Sequence, residues 1–138
     1  MKTKIYSVFC MLLLASLLSA CNPLQTLKSR NKWTDFDSAF QNYSKHLRWG
    51  HFREAAGFMT RQRQIESQAL LAKLKNRRVS GVKATNWIMN KEEDEISGTI
   101  EISYYLEDRG VIRQTEQTQT WILQEKNWIL DSPLPDLP

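Results

Sequence analysis

The chain has 138 residues, 41% of them hydrophobic and 25% charged, with a formal net charge of +4. That length fits one domain and not two, and it is enough to bury a core without metals. The only two cysteines, Cys10 and Cys21, both lie near the start of the chain, which excludes a disulfide framework for the rest.

The first stretch reads as an address and not as part of a fold. Lys2 and Lys4 form a short basic region, an apolar run starts at Ile5, and small residues follow before Cys21. The run is too short for a comfortable membrane span, which takes about 20 apolar residues. Leu18-Ser19-Ala20-Cys21 resembles the lipobox of bacterial lipoproteins. That resemblance implies cleavage before Cys21, so that residues 1–20 are signal peptide, and acylation of Cys21. More than one acyl chain makes a stable anchor, at about 0.8 kcal/mol per buried methylene. Within the same resemblance, Asn22 in place of aspartate implies sorting to the outer membrane, with the protein facing the periplasm. The lipid bilayer would be the first partner, through Cys21.

Residues 21–32 read as a lipid-anchored tether, broken by Pro23 and without a sustained period. The single domain is then 33–138. Charge is unevenly divided: residues 22–83 carry 13 basic and 4 acidic residues, and 84–138 carry 4 and 11. Basic surface attracts anionic bilayers and nucleic acid alike. Export makes nucleic acid the disfavoured partner, and a solvated helix surface accounts for the run from Arg61 to Arg78.

Trp33, Phe36, Phe40, Tyr43 and Leu47 recur at steps of three and four, which predicts an amphipathic helix starting near Thr34 and ending at Gly50. A second short helix over 51–59 turns Phe52, Ala55, Ala56 and Met59 inward. A third reaches Lys75 and buries Ile65 and Leu74. From residue 79 the period changes to strand. Residues 79–90 show a mixed pattern that calls for a bulge between Ala84 and Trp87. Residues 95–106 alternate cleanly, with Ile96, Gly98, Ile100, Ile102 and Tyr104 on one face. A hairpin over 107–110 leads to a strand over 111–124, and a last strand spans 126–130.

Helices followed by strands predict an α+β domain with N-terminal helices packed on a strongly curved antiparallel sheet. The order and lengths of these elements resemble the nuclear transport factor two-like superfamily, a cystatin-like cone of sheet around a long helix. The likeness covers most of residues 33–131.

The stretch Gln114 to Thr120 (QTEQTQT) is polar on both faces. It either extends past the core or lines a polar cavity. The first reading is favoured. The second groups Tyr104, Arg113, Glu116, Thr118 and Trp121 as a ligand-binding set. Glu116 is the one acidic residue centred in that strand, and no proton donor accompanies it, so no catalytic residue is assigned. His46 and His51, five apart, are poorly placed to share a helix face. No metal-ligand spacing, phosphate loop or nucleophile elbow occurs, and no metal or cofactor is expected. The sequence therefore predicts a non-enzymatic envelope lipoprotein whose domain binds a protein partner or supports an assembly. A periplasm-facing small-molecule binding module is the alternative, and an enzyme is the least supported reading.

Overall fold

A computed structural model describes residues 23–138. The segment read as a signal peptide, Cys21 and Asn22 lie outside the described residues. The chain divides into two compact units, 1–31 and 32–138, and of the first only the helical residues 23–31 are described.

Helix α1 spans Pro23–Arg48, so helix begins well before Thr34 and takes in most of the segment read as a tether. A proline is tolerated in a first helical turn, where its missing N–H would have no partner, so Pro23 opens this helix instead of breaking it. The aromatic stripe does what its spacing demands: Phe36, Phe40, Tyr43 and Leu47 are buried, and Trp33 packs against them half-exposed. Gly50, at φ 72°, reverses the chain in a conformation that side-chain-bearing residues resist. Helix α2 (Phe52–Ala56) follows, with Phe52, Ala55 and Ala56 inward. Helix α3 (Arg61–Leu74) starts earlier than its apolar pattern suggests, because the Thr60 side chain caps it by accepting from the Arg63 N–H. Ile65, expected inside, is 61% exposed; Ser67 and Leu74 are the buried positions.

The strands are β1 (Arg77–Met89), β2 (Glu95–Leu106), β3 (Arg113–Gln124) and β4 (Asn127–Leu130). They pair antiparallel in the order β1-β2-β3-β4, leaving an open sheet with two edges. The expected strongly curved cone does not form, and the likeness to the nuclear transport factor two-like superfamily and its cystatin-like fold fails with it. The reason lies in the register. β2 and β3 pair without a break from Glu95↔Ile122 to Tyr104↔Arg113, so the centre of the sheet has no bulge to bend it. β4 has four residues, too few to carry the sheet round a helix. Irregularity is confined to β1, between Val79 and Gly81 and between Thr85 and Ile88.

The second shift is the bulge expected near Trp87. Asn86 takes φ 57°, and the extra residue turns Trp87 to the core side, where its ring lies over Gly98. Phe36 meets Trp87, Trp121 and Trp128 edge-on at 5.0, 5.8 and 5.8 Å, and these rings join α1 to the sheet. Residues 131–138 form no strand but complete the core from another side, with Leu134 and Leu137 fully buried. Leu134 N–H donates to Ser67 Oγ at 2.9 Å, Thr120 N–H to Ser132 Oγ at 3.0 Å, and Arg77 Nε to the Leu137 carbonyl at 2.9 Å.

Candidate functional site

The alternation of β3 decides which predicted residues can meet. Its core-facing register runs through Thr115, Gln117, Gln119, Trp121 and Leu123, while Gln114, Glu116 and Thr118 face solvent. The set Tyr104, Arg113, Glu116, Thr118 and Trp121 is therefore divided between the two faces of the sheet. Tyr104 and Arg113 pair across strands and converge on one acceptor, the Pro138 carbonyl, at 2.8 and 3.4 Å. Trp121 stands eight positions along β3 from Arg113, about 27 Å at strand rise, packed on Phe36 and Tyr43. On the outer face Glu116 lies opposite Glu101, and Thr118 opposite Thr99.

The polar middle of β3 is spent inside the domain. Gln119 is fully buried, and its amide nitrogen donates to Tyr43 Oη at 3.3 Å and to Gln117 Oε1 at 3.1 Å. Its oxygen accepts from Trp121 Nε1 at 3.3 Å, and Gln117 Nε2 reaches the Pro133 carbonyl at 2.9 Å. Buried amides so connected satisfy one another, and the row reads as core. Burial pushes the Tyr43 phenol far above its ordinary range, against a smaller downward pull from the Gln119 hydrogen bond.

The chain reversal at Gly50 brings His46 and His51 to a ring separation of 6.0 Å, which their spacing of five does not suggest. Among the described residues no cluster of three or more metal-ligating side chains occurs, and no helix is long and apolar enough to cross a membrane.

Several grooves mark the surface; one of about 510 Å³ is lined by Thr115, Glu116 and Gln117 with Pro133–Asp136, and two others bear on binding. A groove of about 460 Å³ between α2 and α3 carries His51, Arg53, Lys75 and Arg78 together with Glu54, and Arg78 is paired with Glu107. A second groove, of about 330 Å³, runs between α1 and β1, with Phe40, Val82, Ala84 and Trp87 as its apolar wall and Asp37 and Arg48 among its polar residues. Ser44 also lines it, and Ser44 Oγ is, among the described residues, the one buried side-chain polar atom without a hydrogen-bond partner.

Beside this second groove lies the free edge of β1. At the other edge of the sheet Leu130 is paired on its outer side: Leu130 N–H donates to the Phe58 carbonyl at 2.7 Å, and Thr60 N–H to the Leu130 carbonyl at 3.0 Å. No comparable backbone partner flanks β1 on its outer side among the described residues. Periodicity finds β1 but cannot say that it ends the sheet, so the sequence gives little signal for this surface. No protein-family model matches the chain, and no curated protein matches it significantly in sequence.

Proposed function

We propose that the chain is a cell-envelope lipoprotein, held to the bilayer by acylated Cys21 and sorted by Asn22 to the periplasmic side of the outer membrane. Its folded part binds a protein partner or supports an assembly and transforms no substrate. The observation that carries the binding reading is the contrast between the polar strand β3 and the sheet edge at β1. Gln117 and Gln119, which a ligand cavity would have used, already bond to Tyr43, Trp121 and Pro133. The free backbone edge of β1 and the groove beside it still have hydrogen-bonding capacity to offer.

The anchoring half is tested by labelling cells with palmitate. Wild type takes up label and follows the outer membrane on a density gradient; Cys21→Ser loses the label and the attachment. Recovery of an unlabelled soluble wild type that retains Cys21 refutes the anchor, and label in the inner membrane refutes the sorting. The binding half is tested by photo-crosslinking from Val82 in living cells. It requires a discrete adduct that the same crosslinker at exposed Glu116 does not give, and equal adduct patterns from both positions refute it.

A further inference from the structure

We infer that the edge of β1 accepts an extended, acidic segment of a partner protein as a fifth strand, with one of its side chains seated in the groove beside Ser44. The inference rests on the binding reading above and names its mode and the chemistry of the partner.

An edge strand turns alternate N–H and C=O groups away from its neighbour, and an extended peptide can take them up as a ladder. The two register shifts of β1 confine the regular part of that edge to Gly81–Thr85, which pairs in unbroken step from Gly81↔Ser103 to Thr85↔Thr99. Five residues span about 17 Å, the length of an ordinary strand. Val82 and Ala84 are the core-side residues of this stretch, and both line the groove that Phe40 and Ser44 border from α1. A fifth strand in register with β1 places its own core-side residue over that groove. Ala84 is small, and its short side chain leaves the depression open. Ser44, whose Oγ is buried without a partner, stands in the same wall.

Charge selects the occupant. Between Arg77 and Met89 the strand carries Arg77, Arg78 and Lys83 and no acidic residue; Arg77 bonds the Leu137 carbonyl, Arg78 pairs with Glu107, and Lys83, inside Gly81–Thr85, lies opposite Glu101. A second copy added edge to edge sets these cations against their own kind, and the flanking bulges further oppose self-pairing. Among the described residues neither Lys83 nor Arg48, which lines the groove, takes part in an ion pair, and Asp37 is the one acidic residue lining the groove. A segment carrying glutamate or aspartate at alternate positions complements this edge.

The test uses the full isotope-labelled chain in neutral detergent, titrated with a blocked peptide of about nine residues that alternates glutamate and valine around a central phenylalanine. Amide shifts are expected at Gly81–Thr85, Ser44 and Trp87, with exchange of alternate amides in Gly81–Thr85 slowed at least tenfold. Methylating alternate peptide nitrogens removes the ladder and weakens binding at least tenfold, as does lysine in place of glutamate. The exposed pair Arg48→Gln and Lys83→Gln weakens it at least fivefold at unchanged Tm. The inference is overturned if the acidic peptide does not bind at millimolar concentration, if the N-methylated peptide binds equally well, or if shifts avoid β1. It is equally overturned if β1 amides gain protection simply as the protein is concentrated, since the occupant is then a second copy. Palmitate labelling and the Val82 adduct are read separately, so the lipoprotein can stand, and a partner can bind by another surface, when the fifth strand fails.

Discussion

Gly98→Ala adds one methyl group at the most crowded point of the sheet. Gly98 lies in β2 opposite Gln119, and a Cβ there falls 2.3 Å from Trp87 Cε3, with Cδ2 and Cζ3 at 2.8 and 2.9 Å. On the core side Trp87 is held edge-on by Phe36 at 5.0 Å and Phe40 at 5.3 Å, so it can yield only toward the groove it lines. Either the indole leaves the core side or β2 bends away from its partners. Overpacking of this kind costs about 1–3 kcal/mol, and a clash with three ring atoms belongs at the top of that range. The gain in strand propensity on replacing glycine offsets roughly 0.5 kcal/mol. The net loss is about 2.5 kcal/mol, out of a typical total of 5–15, or a fall of roughly 10 °C in Tm. Urea unfolding followed by far-ultraviolet circular dichroism measures it. The same substitution in a Trp87→Leu background should cost less than about 0.5 kcal/mol, giving a coupling near 2 kcal/mol. A wild-type loss below about 0.5 kcal/mol, or equal losses in both backgrounds, refutes the account of Trp87 folded over Gly98 by the bulge.

Four further outcomes are expected. The folded Tyr43 phenol titrates above its ordinary value of 10.0, so its contribution is complete below pH 10 and is lost as pH rises beyond it; the alkaline decline of the urea midpoint should be shallower in Tyr43→Phe. Leu134→Ala should cost about 2–5 kcal/mol, because Leu134 is fully buried, and a loss under 1 kcal/mol would detach residues 131–138 from the core. Ser44→Ala removes a buried hydroxyl without a partner and should raise stability by up to about 1 kcal/mol, whereas a clear loss would reveal a bond to Ser44 Oγ. Glu116→Gln relieves the like-charge pairing with Glu101 and should leave stability equal or a few tenths of a kcal/mol higher, with complementation intact at matched protein levels; loss of function there would make the outer face of the sheet the working surface.

Local pattern carried much of the fold. The α1 stripe and the alternation of β2 each repeat a single period over several turns or pleats, and such signals survive tertiary context. Even the bulge in β1 was visible, because Val82, Ala84 and Trp87 cannot share a face at period two. The facing of β3 was not visible, since both of its registers are polar. What makes the odd register the inner one is Tyr43, 76 positions away, and the Pro133 carbonyl, neither of which leaves a trace in the strand itself. Leu134 and Leu137 were missed for a related reason: between prolines they follow no period, yet both are fully buried. The candidate surface was the least legible part, because an edge is defined by the absence of a neighbour and the neighbours of a strand are settled by topology.

The hydrogen bonds of residues 132–137 to Ser67, Arg77 and Thr120 have a kinetic side. Leu134 and Leu137 bond to partners 60 or more positions earlier, on Ser67 and Arg77. Contacts of such separation close slowly, since chain entropy must be lost before they contribute. A folding chain thus keeps one side of its core uncovered until these contacts form. The exposure of apolar surface during folding is therefore limited by how fast residues 132–137 dock, although they carry no helix or strand of their own.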